Sequence, residues 1–275
     1  MDTQGKILIN KTVIAGDPFG ACEFLALHSG LPKARIKDAM NKGAAWICRK
    51  GRGRERLRRA TSVLKQGDIV ELYYDQAILS IDLPHARCLM DLRHYSIWDK
   101  PAGLLTQGTE YGDHCSLLRQ VELSFSPKRD VYPVHRLDRE AQGLVLVAHT
   151  SQAAGKLSEL FQGRAITKRY QTEVLGLLEP DQGTIDTPLD QRSALTRYSV
   201  LSRDPNANVS TLLVEIETGR LHQIRRHLAS IGHPVMGDSR YGKGNKDGKP
   251  MRLVACVLEF QCPFTGHEVA CAIGV

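Results

Sequence analysis

"PVHRLDREAQGLVLVAHT", residues 133–150, is the stretch on which the reading of this chain turns. Four polar side chains, His135, Arg136, Asp138 and Arg139, come directly before an apolar run. Gly143 to Val147 is short, rich in branched residues and opened by a glycine, which predicts a buried strand. A carboxylate flanked by two arginines therefore stands at the mouth of the chain's own core. A charged turn with solvated ion pairs would contribute little there. The alternative is a catalytic aspartate held on rigid scaffold, facing a substrate that carries negative charge.

Outward from this stretch, strands and helices alternate. His94 to Trp98, Tyr170 to Leu175, Tyr198 to Arg203 and Leu212 to Glu217 have strand character. Ser151 to Phe161 is expected to be helical, with Leu157, Leu160 and Phe161 on one face. Leu221, Ile224, Leu228 and Ile231 mark a second helix. Strands outnumber helices, which predicts an α+β domain with a central mixed, mainly antiparallel sheet rather than βαβ winding.

At 275 residues, 42% hydrophobic and 24% charged, the composition is that of an ordinary globular chain. No apolar run approaches the ~18 residues that span a bilayer. The start, MDTQGKILIN, lacks a signal-peptide pattern, so a cytoplasmic location is expected. The seven cysteines show no regular spacing and no CxxC, which argues against a disulfide framework and against a metal site. His222 and His227 lie at i, i+5, on different helical faces, and so are not paired ligands.

The net charge of +7 is concentrated near the N-terminus. Between Leu31 and Arg59 there are eleven Lys or Arg against Asp38 and Glu55, a balance of +9, so the remainder sums to about −2. Such a patch attracts a polyanion, of which nucleic acid is the commonest. Residues 19–75 form a small unit: two short helices broken at Gly30-Leu-Pro32, strand-like runs, an arginine-rich turn, and a last strand in "KQGDIVEL". This stretch resembles an S4 RNA-binding domain, although Ile47-Cys-Arg-Lys-Gly51 stands where Val-Asn-Gly is usual. Lys33, Arg35 and Lys37 on the helix, with Arg49, Lys50, Arg52 and Arg54 on the loop, are the expected phosphate contacts. Residues 1–18 are expected as an N-terminal extension, 76–92 as a linker broken at Pro84, and 93–275 as the second domain.

Four segments of that domain carry one joint signature: "DKPAGLLTQ" (99–107), "VHRLDREAQGLVLVA" (134–148), "ITKRYQTEVLG" (166–176) and "ETGRLHQIRRHLASIGHPVMGDSRYG" (217–242). Together they resemble the RluA-type pseudouridine synthases, which isomerise uridine to pseudouridine in RNA. The resemblance implies an isomerase without metal or cofactor, acting on structured ribosomal RNA (large subunit first) or transfer RNA, and expected as a monomer. It places the catalytic aspartate at Asp138, its arginine partner at Arg225 and the active-site tyrosine at Tyr170. Arg136 falls where the family has an arginine beside the vacated base stack. Leu228, one turn after Arg225, is expected as an apolar wall for the uracil, and His135 as a support of the loop. The target sugar and base are hidden in folded RNA, so the nucleotide must be flipped out. The chain departs from the family at Ala141-Gln142-Gly143, where Thr-Ser-Gly is usual, and at Ala255-Cys256, where Leu-His-Ala is usual. A non-catalytic RNA-binding or ribosome-assembly protein on the same fold is the alternative.

Overall fold

The computed structural model describes residues 5–82 and 84–274. The chain divides into two compact units. The first holds the described residues up to 82 together with Gln107–Leu123, and the second holds Pro84–Thr106 and the chain from Ser124 onward.

The first unit runs β1 (Lys6–Thr12), α1 (Ala21–Ser29), α2 (Lys33–Asn41), β2 (Ala45–Cys48), β3 (Arg54–Arg56), β4 (Ile69–Asp75), α3 (Gln76–Leu79) and most of α4 (Leu117–Ser124). Its sheet has the order β1-β4-β2-β3, antiparallel throughout. Gly30 ends α1 in the left-handed region (φ 70°), its N–H bonding back to Ala26, a conformation that glycine adopts without penalty. Pro32 then caps α2. Phe24, Leu25, Ile36, Met40, Ile47 and Leu72 meet in one core.

Three expected boundaries move. Residues 1–18 are not simply an extension, because β1 pairs with β4 from Lys6↔Asp75 to Thr12↔Ile69. Ile9 and Val13 from this stretch are buried, and that burial supplies the reason. Residues 76–92 are ordered at both ends. Asp75 caps α3, its carboxylate accepting from the N–H groups of Ala77 and Ile78, and β5 (Arg87–Asp91) pairs with β6 (Tyr95–Lys100). Residues 107–123, expected in the second domain, belong to the first unit. Arg56 donates to the Thr109 carbonyl at 2.6 Å, Trp46 Nε1 to the Glu110 carbonyl at 3.0 Å, and Arg58 pairs with Asp113.

The second unit adds β7 (Tyr132–Pro133), β8 (Gln142–Ala148), α5 (Ser151–Gln162), β9 (Ile166–Leu175), β10 (Gln182–Ile185), β11 (Thr196–Asp204), β12 (Val209–Ile216), α6 (Gln223–Ser230), β13 (Leu253–Gln261) and β14 (Glu268–Ala272). Its ten-stranded sheet follows β10-β11-β12-β9-β13-β8-β6-β5, with β14 beside β13 and β7 beside β8. The pairing of β13 with β8 is parallel; the other named pairs are antiparallel. Thus the expected α+β class and mainly antiparallel sheet describe the molecule.

From Gly143 to Ala148, β8 is buried residue after residue, as befits a central strand covered on both faces. Gly143 sits where β13 comes alongside. Its φ is 110°, and a Cβ there would lie 2.3 Å from the Ala255 oxygen. Gly143→Ala is expected to destabilise the second unit by at least ~2 kcal/mol, from backbone strain plus steric overlap. Denaturant unfolding would show this as a lowered midpoint; a change within ~0.5 kcal/mol would contradict the reading.

Candidate active site

The polar cluster of residues 135–139 forms the loop between β7 and β8. Its shape is set by the loop that follows β6. Thr106 Oγ1 donates to the Leu137 carbonyl at 2.9 Å and accepts from the Leu137 N–H at 3.1 Å. Gly103 N–H donates to the Arg139 carbonyl at 2.7 Å. The fully buried Lys100 reaches the carbonyls of Pro101, Leu104 and Arg139. Burial pulls its pKa down to about 8, against the opposing charges of Asp138 and Glu140. "DKPAGLLTQ" thus acts as a brace for the Asp138 loop.

His135 is a support. Its Nε2 accepts the Leu146 N–H at 2.9 Å, and its ring stacks on Phe161 at 4.6 Å. Burial, aided by the charge of Lys168, drives its pKa down to about 3.

The arginines flanking Asp138 in sequence are not its partners; Arg136 and Arg139 are exposed and form no ion pair among the described residues. The partner is Arg225, 87 residues away, whose Nη1 donates to Asp138 Oδ2 at 3.0 Å. Arg225 is 2% exposed. Its Nε and Nη2 donate to the two oxygens of Asp238 at 2.7 and 2.8 Å. Asp238 is fully buried. Burial raises its pKa, but Arg225 and the N–H groups of Arg240 and Tyr241 outweigh this and hold it below the usual range. Despite its own burial, Arg225 is held still more firmly as a cation by Asp238 and Asp138. This two-sided fork is the bidentate geometry that a guanidinium provides and an ammonium does not.

His222 precedes α6 in the left-handed region (φ 54°). Its Nε2 lies 3.7 Å from Asp138 Oδ1, while Nδ1 meets the Tyr241 hydroxyl at 2.9 Å. Burial lowers its pKa, against the pull of Asp138. Gln223 ties the turn together, accepting from the Thr218 hydroxyl and the Arg220 N–H and donating to Leu195 and Thr196. His227 is buried in hydrogen bonds to Thr196 and Thr187. Among the described residues no group of three or more His, Cys, Asp or Glu is placed to hold a metal.

Asp138, Tyr170 and Arg225 line one cavity of about 350 Å³, with Arg136 also on its wall. That volume is within the range of small-molecule sites. Tyr170 is buried on β9; burial, then the charge of Asp138, raises its phenol pKa well above the ordinary value. The cavity therefore presents a paired carboxylate, a fixed guanidinium and a protonated phenol. Ala141, at the first departure from the family pattern, is part of its wall. Cys256, at the second, occupies a bulge in β13, its thiol reaching the Arg169 carbonyl at 3.4 Å. Leu228 does not line the cavity. It is 0% exposed, one turn further into the core, and the apolar wall is made by Ile216, Ile224 and Leu253 instead.

A family model described as RNA pseudouridylate synthase matches residues 94–230. A protein of Aquifex aeolicus, named as an uncharacterized RNA pseudouridine synthase, is 30% identical over 80% of this chain and 76% of its own. The dual-specificity RNA pseudouridine synthase RluA of Pasteurella multocida is 34% identical over 62% of this chain and 85% of its own. The chain belongs to the RluA-type RNA pseudouridine synthases. The ribosomal large subunit pseudouridine synthase D of Nitrosomonas europaea is 38% identical over 58% of this chain and 51% of its own. Human RNA pseudouridylate synthase domain containing 1 shares the fold, with a TM-score of 0.60 at 23% identity over 71% of this chain and 86% of that one.

Of the cations expected to meet RNA in this synthase, Arg35, Lys37, Lys50 and Arg52 are exposed and form no ion pair among the described residues. The other three are engaged within the chain. Lys33 pairs with Glu23 at 2.9 Å, and Arg49 lies 3.1 Å from Glu55 and 3.6 Å from Asp68. Arg54 bonds Glu71 at 2.8 Å and Glu110 at 3.1 Å, and lies over the Trp46 ring at 4.2 Å.

The histidine gives a pH signature. The folded chain keeps His135 neutral down to about pH 3, whereas the unfolded chain takes up that proton near 6.5. The unfolded state thus binds more protons across this window, so stability rises with pH and is lost as the pH is lowered from about 6.5 toward 3. His135→Gln keeps an acceptor for Leu146 without titrating. Between pH 6 and 4 the wild type should lose about 1.4 kcal/mol more stability per pH unit than the variant. Parallel stability curves would contradict the assignment.

Proposed function

We propose that Asp138 is the essential carboxylate of uridine isomerisation in this synthase, with Arg225, Tyr170 and Arg136 as its active-site partners. The reaction breaks the N1–C1′ bond, turns the uracil, rejoins it through C5 and releases the C5 hydrogen. The observation that carries the reading is the fork of Arg225, buried on Asp238 and aimed at Asp138 in the cavity. An ionised carboxylate in that place serves attack on sugar or base, or proton abstraction from the sugar, equally. Tyr170 gives a ring for the turned uracil and a protonated hydroxyl near the reacting edge. Arg136, exposed on the cavity wall, is assigned on this reading to the gap that the flipped nucleotide leaves.

The S4-like first unit supplies RNA affinity through Arg35, Lys37, Lys50 and Arg52. Large-subunit ribosomal RNA is the first substrate of this reading and transfer RNA the second, in keeping with one relative named for the large ribosomal subunit and another named for transfer RNA. The same reading has the enzyme acting in the cytoplasm, as a monomer and without a cofactor.

Tritium release from RNA labelled at uracil C5 tests the assignment. Wild-type protein should release tritium from ribosomal RNA faster than from transfer RNA. Asp138→Asn should lower release by at least ~10⁴-fold while RNA affinity stays within a few-fold. Equal loss of binding and turnover would contradict the role given to Asp138. Replacing Arg35, Lys37, Lys50 and Arg52 together by glutamine should weaken RNA binding and flatten its salt dependence, by up to about four units of slope on duplex RNA. An unchanged slope would remove these residues from the footprint.

A further inference from the structure

A second cavity of about 390 Å³ adjoins the first, and Arg136, Tyr170, Ile216, Gly219 and Arg220 lie on the walls of both. Its character differs. Lys168 and Arg164 line it besides Arg136 and Arg220. Glu217 is the one acidic residue among the described residues of its wall, and that carboxylate is already held by Arg164 at 3.2 Å and by Arg197. Lys168 has no ion pair among the described residues, and its ammonium stands 5.5 Å from the Phe161 ring centroid. It is half-buried, and that burial lowers its pKa. A cation withdrawn from water without a counter-charge is costly, so the site is electrostatically incomplete as it stands.

The position of Lys168 indicates what completes it. Lys168 and Tyr170 are alternate residues of β9 and share a face, about 7 Å apart along the strand. With the uracil against Tyr170, a sugar's reach leads from the base to Lys168. We propose, resting on the uridine reading above, that this second cavity receives the phosphodiester next to the flipped uridine, with Lys168 as its anion-binding residue and Arg136 and Arg220 as flanking donors. Arg220 is partly fixed, its Nε donating to the Ser193 carbonyl at 3.0 Å. The phosphate enters as the counter-ion that the fold omits. Its binding registers the strand so that C1′ faces Asp138.

A substrate–enzyme double substitution tests this. The probe is a synthetic RNA spanning a uridine mapped as modified, carrying one uncharged methylphosphonate on its 5′ or its 3′ side. Wild type should lose about 10- to 100-fold in kcat/KM at one of these two positions, the scale of a charged hydrogen bond. Lys168→Gln should lose a similar factor on unmodified RNA and less than about 3-fold more on that methylphosphonate. Lys168→Arg should recover most of the activity, and the thermal midpoint of Lys168→Gln should match the wild type. Losses that multiply independently at both positions would overturn the proposal, as would wild-type turnover by Lys168→Gln. Failure of Lys168→Arg to rescue, with both variants equally destabilised, would assign Lys168 to structure alone. No turnover of any RNA by the wild type would instead remove the uridine reading, and this site with it.

Discussion

The guanidinium of Arg225 is the constraint on which the second unit's chemistry depends. A cation exposed by only 2% persists in a fold when its donors are matched, and here two carboxylates match them from opposite sides. Asp238 takes the Nε–Nη2 edge and fixes the plane of the group; the remaining nitrogen then points at Asp138. Removing Arg225 would strand the fully buried Asp238 carboxylate, which costs several kcal/mol. The interaction is therefore as much a device for orientation as a source of stability.

Orientation is also enforced from the other side. The Asp138 loop is not shaped by its own charged residues but by Lys100, Gly103 and Thr106, whose donors and acceptors engage its backbone. Gly143 lets β13 approach at the point where the loop becomes β8, and the register there sets Ala255 opposite both Gly143 and Tyr170. Tyr170 and Asp138 line one cavity because a parallel and an antiparallel pairing share β13. A shift in either ladder would separate them.

Much of this was legible in the sequence. Alternation and apolar runs located β6, β8, β9, β11 and β12, and the helices α5 and α6, to within a few residues, because burial against a sheet imposes its period on the residues; β5, β10, β13 and β14 were not read from the sequence. Asp138, Tyr170 and Arg225 stand in local motifs that single them out, and the fold brings the three onto one cavity. What stayed hidden is pairing across distance. Asp238 lies in a Gly- and Pro-punctuated loop that reads as a connector, and nothing in its neighbours announces a buried carboxylate. Nothing in "DKPAGLLTQ" announces that Lys100 is fully buried. Leu228 sat at helical spacing from Arg225, yet spacing alone cannot distinguish a core position from a cavity wall. Likewise charge counting found the basic patch but not which of its members, such as Arg54, are spent on internal pairs. The strand β1 was missed because its burial rests on few residues, chiefly Ile9.

Asp238, through Arg225, orients Asp138, the carboxylate proposed to react. Single-turnover tritium release by Asp238→Asn, measured beside RNA affinity and thermal stability, addresses this directly. The expected result is a rate lowered by about 10²-fold, the cost of a misplaced reacting group, with RNA affinity close to wild type and the protein folded. Wild-type release by a folded Asp238→Asn enzyme would contradict the account.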